Sequence, residues 1–327
     1  MSFLVDTERP QKLDELTFHP SLTRTLKKLA ASKDCPHLLF YGPSGGGKMT
    51  RIRCLLEGMF GPGAEKTSTS FRQFKATTST TVDIQVVVSA FHVEVTPSDV
   101  GIRDAAVIQQ LIKQMAENPP VGEVPFHVVV INDAHCLTRQ AQAALRRTME
   151  KSRCLGIRVP RPTPDELQRD MMNISQRHAL GLNPGLCARI VEESGCDARL
   201  ALIRLDMLRR KNVTLSDPHA VIEKQSWKVF VEDIAKDIVT EQSPKRMLAV
   251  RAKLYTLLTQ WIDPRDIFYH LVLCLGQRMG SSEDKLRNLT QLAARYEGRR
   301  AKSAKAIMQL EAFVAQTMMI IINSSGK

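Results

Sequence analysis

No two of the seven cysteines stand in C-x-x-C spacing, and their number is odd. That excludes a disulfide framework and a clustered zinc site, and it suits a reducing compartment, cytosol or nucleus. No apolar run reaches the ~20 residues that cross a bilayer. The longest late candidate, Met318 to Ile322, ends a helical pattern and is expected in a core or an interface. The N-terminus, Met1-Ser2-Phe3-Leu4-Val5-Asp6, lacks the basic-then-apolar order of a secretory signal. No membrane partner is expected. Internal repeats and low-complexity tracts are missing as well. Acidic side chains are outnumbered, 34 against 46 basic, for a formal net charge of +12. Such a surplus suits a polyanionic partner, although an ordinary solvated surface carries the same charge equally well. What is present is a hydrophobic content of 43% in 327 residues, enough for two or three domains with their own cores.

One stretch carries most of the chemistry: Leu38-Leu39-Phe40-Tyr41-Gly42-Pro43-Ser44-Gly45-Gly46-Gly47-Lys48-Met49-Thr50. An apolar strand pattern runs into a glycine-rich loop closed by Gly-Lys, and a helical pattern follows. This is the order of a P-loop. The glycines let backbone N–H groups of Gly45 to Lys48 reach phosphate oxygens, and Lys48 adds a positive charge for the β and γ phosphates. The next position ordinarily carries Ser or Thr, whose hydroxyl binds Mg²⁺. Here it is Met49, and a thioether is a poor Mg²⁺ ligand. Thr50, one residue on, points about 100° away around the helix. The loop is expected to bind ATP or ADP, with Mg²⁺ and hydrolysis badly provided for.

A second segment bears on the same chemistry. In Val129-Val130-Ile131-Asn132-Asp133-Ala134-His135, an apolar strand ends where a P-loop ATPase places a metal-binding aspartate and a water-activating glutamate. Asn132 is neutral and holds Mg²⁺ weakly. Asp133 has one methylene less reach than glutamate. His135 reads as a polar residue at the start of a surface helix, with no second His or Cys at ligand spacing. Met49 and Asn132 are thus two independent losses at one metal site, and no metal ligands are assigned. The alternative is an active ATPase in which Thr50 and Asp133 do the metal and water chemistry.

Periodicity gives the organisation. Helices are predicted at Ser21–Ser32, Arg51–Phe60, Asp104–Ala116 and Thr138–Lys151, and strands at His37–Tyr41, Phe71–Thr77, Val82–Ser89, Ala90–Val95 and Phe126–Ile131. The last reads as a strand of a doubly wound parallel sheet. Asn118 to Gly122 is a predicted loop. A proline-rich linker follows at Pro160 to Pro164, and Thr163-Pro164-Asp165-Glu166 is a helix start. Helices at 164–178, 184–193 and 197–210 make a small all-α unit, and 226–322 is helical throughout, with Ser243-Pro244 and Asp263-Pro264 as further starts. Leu254, Leu257, Leu258, Trp261, Phe313 and Val314 fit an oligomer interface or a single-chain core equally well.

Pro36 to Gly45, then Ala144-Leu145-Arg146-Arg147-Thr148-Met149-Glu150-Lys151, then Ser152-Arg153-Cys154, resemble the boxes of the small subunits of replication factor C. Ala249 to Tyr255 and Leu310 to Ala315 resemble one branch of them. That family is the eukaryotic clamp loader, an AAA+ pentamer that places a sliding clamp on primer–template DNA. The resemblance spans Val5 to about Met319. It implies an AAA+ nucleotide domain over 1–159, a helical lid over 160–215 and an all-α collar over 225–327. It implies a nuclear protein whose partners are sister subunits, the clamp and primer–template DNA. By position, Gly42, Pro43, Ser44, Gly45, Gly46, Gly47, Lys48, Met49 and Thr50 match the phosphate loop. Arg199 matches the sensor-2 arginine of the lid. Arg153 matches an arginine finger acting in trans on a neighbour's ATP. Arg103 and Lys113 match the DNA-facing region.

Three departures from the family stand out. The N-terminal box, Leu4-Val5-Asp6-Thr7-Glu8-Arg9-Pro10, lacks the family's aromatics, which leaves adenine recognition unassigned. Met49 is non-standard. The family also has roughly 20 residues, about one strand with its loops, between the Met-Glu-Lys helix and the Ser-Arg-Cys motif. Here Lys151 abuts Ser152. Loss of that central strand would expose two unpaired edges. Either an exon's worth of chain is missing, or Leu155 to Val159 moves into its place and completes the sheet.

Overall fold

The computed structural model describes residues 3–32, 35–75, 81–117, 126–151, 154–211, 213–280, 283–300, 303 and 305–325. Arg153 and the predicted loop at 118–122 lie outside the described residues. The chain divides into two compact units, Met1–Ile222 and Glu223–Lys327.

In the first unit, a short N-terminal helix α1 (Leu4–Thr7) and helix α2 (Pro20–Ala31) precede strand β1 (His37–Tyr41) and helix α3 (Lys48–Phe60). Helix α3 starts ahead of the predicted Arg51, because Gly47 adopts a left-handed φ of 83° and turns the chain into the helix at Lys48. Strands β2 (Ser68–Lys75) and β3 (Thr81–Val88) follow as an antiparallel hairpin with Ser68 opposite Val88. Next come β4 (His92–Val95), helix α4 (Asp104–Glu117), β5 (Val128–Ile131), helix α5 (Arg139–Lys151) and β6 (Cys154–Arg158).

The strands do not form the single parallel sheet predicted. They form a two-stranded sheet in the order β1–β6 and a four-stranded one in the order β2–β3–β4–β5. Pairing is parallel in β1–β6 and β4–β5, and antiparallel around β3. Strand β6 does lie against β1, with Leu38 opposite Leu155, but it does not complete the sheet. The reason is connectivity. A crossover helix normally delivers the chain to the strand next door. Helix α5 ends at Lys151 and β6 begins at Cys154, so no chain remains to pair with β5 before β6 forms. Among the described residues, β1 and β5 each keep one open edge.

Helix α3 covers both sheets. Cys54 and Leu55 pack with Leu38, Phe40 and Ile157 of the β1–β6 pair, while Leu56, Met49 and Ile52 pack with Val128 and Val130 of β5. These two stripes lie on different sides of the helix, their centres about 140° apart. By strand alternation Val129 and Ile131 face the other way. They join a core with Phe74, Val86, Val107 and Leu111, the last two from α4. The carboxylate of Asp104 is fully buried at the start of α4, where it accepts hydrogen bonds of 2.6 Å from the Thr138 N–H and hydroxyl. It thereby ties α4 to the first turn of α5.

Helices α6 (Pro164–Arg177), α7 (Pro184–Glu193) and α8 (Ala198–Arg210) bury Leu167, Met171, Leu186, Ile190 and Leu205 around one core, which Leu4 of α1 joins. The predicted start of α6 is a capping box: the Thr163 hydroxyl accepts from the Glu166 N–H, and the Glu166 carboxylate accepts from the Thr163 N–H. Glu8 accepts from the His178 ring at 2.7 Å and forms an ion pair with Arg177, 2.7 Å from its other oxygen, so the N-terminal box is anchored on this helical layer.

The second unit is α9 (Ser226–Thr240), α10 (Pro244–Thr259), α11 (Pro264–Arg278), α12 (Glu283–Arg300) and α13 (Ala306–Ser325). Ser243 and Asp263 cap α10 and α11 as their sequence predicts. Contrary to expectation, Ala306–Asn323 of α13 is long and apolar enough to cross a bilayer by length and composition. Its inner face is nevertheless core, since Leu310, Phe313 and Val314 are fully buried and the Phe313 ring lies 4.7 Å from that of Phe268. Leu254, Leu257, Phe313 and Val314 are therefore core and not interface. Trp261 is 95% exposed, in a left-handed turn with φ 59°.

Candidate nucleotide site

The glycine-rich loop leaves β1 at Tyr41, whose carbonyl accepts from the Val159 N–H at 2.8 Å. It then runs close against the end of β6. A Cβ on Gly42 would lie 2.0 Å from the Val159 carbonyl oxygen, and Gly42 has φ 145°. Only glycine lets the loop approach that backbone. Lys48 begins α3 and donates from Nζ to the carbonyls of Gly42 (2.9 Å) and Pro43 (2.8 Å), which holds the ammonium across the loop.

Met49 points away from this chemistry. Its side chain belongs to the apolar cluster with Leu56, Val128 and Val130. Thr50 is half-buried on the next position of α3. Asn132 follows β5 and donates its N–H to the Val95 carbonyl at 2.9 Å. Asp133 is exposed, in a left-handed conformation with φ 47°, and starts a short turn over Ala134–Cys136. His135 and Cys136 are exposed side by side, Nε2 and Sγ 3.4 Å apart. Among the described residues no group of three or more His, Cys, Asp or Glu is placed to hold a metal ion.

Two residues that sequence reading missed shape the loop. Arg51 is 1% exposed and donates to the carbonyls of Gly46 (3.0 Å), Gly47 (3.4 Å) and Phe18 (3.1 Å). Burial lowers its pKa, and Cys54 and Glu166 push the other way. On a helical wheel it looks like any solvated arginine, so the sequence held no signal for it. The second is Asp197. It caps α8 by accepting from the Leu200 N–H at 2.9 Å, and its carboxylate lies where a Cβ on Gly45 would be, 2.0 Å from Oδ1. The start of α8 is thus packed on the loop. Arg199 is exposed on the first turn of that helix.

A polar set, its His92 and Glu94 buried and its Arg53 exposed, links α3 to β4. Arg53 donates to both oxygens of Glu94 at 3.4 and 3.3 Å, and His92 Nε2 lies 3.6 Å from Glu94 Oε1. Burial pushes the Glu94 carboxyl up, but the nearby His92 ring and the hydrogen-bonded Arg53 guanidinium outweigh it and hold the group below its usual range. Away from the loop, Arg103 and Lys113 are both exposed, one ending the turn before α4 and the other on α4 itself.

The Gly45–Asp197 contact makes a test. Gly45 has φ 73°. Gly45→Ala is expected to cost about 2–3 kcal/mol, from the left-handed backbone and the displaced cap together. In denaturant unfolding, Gly45→Ala/Asp197→Ala should cost measurably less than the two single changes added. Strict additivity would mean that the two side chains do not meet.

One family model and three relatives resemble the chain. A family model described as replication factor C subunit 3, C-terminal domain, matches residues 227–325. Replication factor C subunit 5 of Neurospora crassa is 40% identical over 346 residues, covering 98% of this chain and 97% of the relative. Replication factor C subunit 3 of Arabidopsis thaliana is 38% identical over 347 residues, with 98% and 97% covered. The human subunit 3 is 34% identical over 346 residues, with 98% and 96% covered. Each of these alignments is longer than the 327-residue chain, so each relative carries residues without a counterpart here.

Proposed function

The chain belongs to the replication factor C family of subunits numbered 3 or 5, and on that premise we propose a nucleotide-binding clamp-loader subunit with little or no ATP hydrolysis of its own. It helps to place the sliding clamp on primer–template DNA in the nucleus, with the other replication factor C subunits as its partners. In this reading 1–159 is an AAA+ nucleotide domain, 160–215 its lid and 225–327 the collar that assembles the pentamer.

The carrying observation is Met49. The residue that should offer a hydroxyl to Mg²⁺ is turned into the apolar cluster at β5, one position after a lysine set for phosphate. ATP or ADP is held by the N–H groups of Gly45 to Lys48 and by the Lys48 ammonium. Arg199 reaches the nucleotide from the lid, Arg153 serves a neighbour's ATP in trans, and exposed Arg103 and Lys113 face DNA.

Lys48→Ala removes the charge-assisted contacts to phosphate. Nucleotide affinity is expected to fall about 10- to 100-fold by fluorescent-nucleotide titration. Wild-type phosphate release should already be at background. Turnover that Lys48→Ala abolishes would establish the rival, an ATPase working through Thr50 and Asp133.

A further inference from the structure

The glycine-rich loop carries a carboxylate on its flank. Asp197 Oδ1 and Oδ2 lie 2.0 and 2.4 Å from where a Cβ on Gly45 would be, so both oxygens rest against the loop. Local structure holds the side chain there. Oδ1 accepts the Leu200 N–H at 2.9 Å in the first turn of α8. Gly195 and Cys196, with φ 60° and 59°, turn the chain into Asp197, and Arg161 donates to the Gly195 carbonyl at 3.0 Å. A left-handed conformation is uncommon for a residue with a Cβ, so the turn at Cys196 is kept against a local cost. Capping needs only an oxygen, which Asn or Ser supplies as well as Asp. The charge adds a second effect, on an anion held by the loop.

Bond lengths alone place any phosphate oxygen on the Gly45 N–H within about 8 Å of Oδ1. That is about one Debye length at physiological salt, so the two negative charges repel with only partial screening. We propose that Asp197 sets the affinity of the phosphate loop: its carboxylate opposes the charge of bound phosphates, so nucleotide is held less tightly than the glycines and Lys48 alone would hold it. This role rests on the nucleotide-binding reading above. Lys48 attracts and Asp197 repels across the same few residues, and Arg199, exposed two positions along the chain, adds attraction from the same helix turn. A full charge about 8 Å away is worth about 2- to 30-fold in affinity, between the dielectric of water and that of a protein surface.

Asp197→Asn keeps the side-chain size and the capping oxygen and removes the charge. In titration of the full chain with a fluorescent ATP analogue at low salt, it should bind at least about threefold more tightly than wild type. Asp197→Ser, a shorter uncharged cap, should shift affinity in the same direction. At 1 M KCl, where the Debye length is about 3 Å, the advantage of Asp197→Asn should fall below about twofold. Lys48→Ala in the same titration separates this role from the reading beneath it. Binding that Lys48→Ala leaves intact removes the glycine-rich loop from nucleotide binding and overturns both. Binding that depends on Lys48 but is equal or weaker in Asp197→Asn, or a gain that persists at 1 M KCl, overturns the role of Asp197 alone and leaves it a helix cap.

Discussion

Inserting one strand with its loops between Lys151 and Ser152, copied from the Arabidopsis relative, is expected to raise the thermal midpoint of the first unit by about 10 °C. The estimate follows from what the strand would bury. Four or five apolar residues contribute about 1.5–3 kcal/mol each when enclosed. Ordering their backbone costs about 1–2 kcal/mol per residue. Pairing two edges at once adds hydrogen bonds worth about 1 kcal/mol each. A net gain of about 4 kcal/mol remains. The half-buried Val128, Val129 and Ile131 of β5 and the exposed Leu39 and Tyr41 of β1 are where protection should appear. Calorimetry with amide exchange reads both. An unchanged midpoint would mean that the divided sheet is already the stable form of this chain.

Arg51→Ala should be the most damaging single change near the loop. The guanidinium holds three backbone carbonyls, from Phe18 and from the loop residues Gly46 and Gly47, in a place closed to water. Its removal strands those acceptors and opens a cavity, at a cost of about 3–5 kcal/mol. Arg51→Lys keeps the charge but loses the fork and should fall between. The exposed Arg24, changed to Ala as a control, should cost less than about 0.5 kcal/mol. Nucleotide affinity should drop with Arg51→Ala even below its unfolding temperature, because Gly46 and Gly47 then lose their support. Unfolding curves and nucleotide titrations on the same samples separate the two effects. If Arg51→Ala behaves like Arg24→Ala, the brace is only apparent.

Local signals in the sequence were good guides to elements. Thr163 with Glu166, and the caps Ser243 and Asp263, mark helix starts through hydrogen bonds between near neighbours, so short sequence windows contain all that decides them. The loop glycines were legible for the same reason. The division of the sheet was foreseeable only in part. The family resemblance implied that a strand's worth of residues is absent, but whether β6 would close the gap depends on contacts far apart in sequence. Arg51, Asp104 and Asp197 were invisible because their roles come from long-range burial. A charged residue on a helix carries no mark of whether a loop, a second helix or solvent will cover it. For Phe313 and Val314 the sequence left core and interface equally open, since periodicity finds the apolar face of a helix but not what lies against it; the structure places both in the core.

In the proposed function the glycine-rich loop grips phosphate without a functional magnesium site. Calorimetric titration of the purified chain with ATP, once with Mg²⁺ and once with EDTA, beside a phosphate-release assay, tests it most directly. Affinities are expected to agree within about threefold, or about 0.7 kcal/mol, with phosphate release at background in both. Tight binding that needs Mg²⁺, with phosphate released by this chain alone, would contradict it.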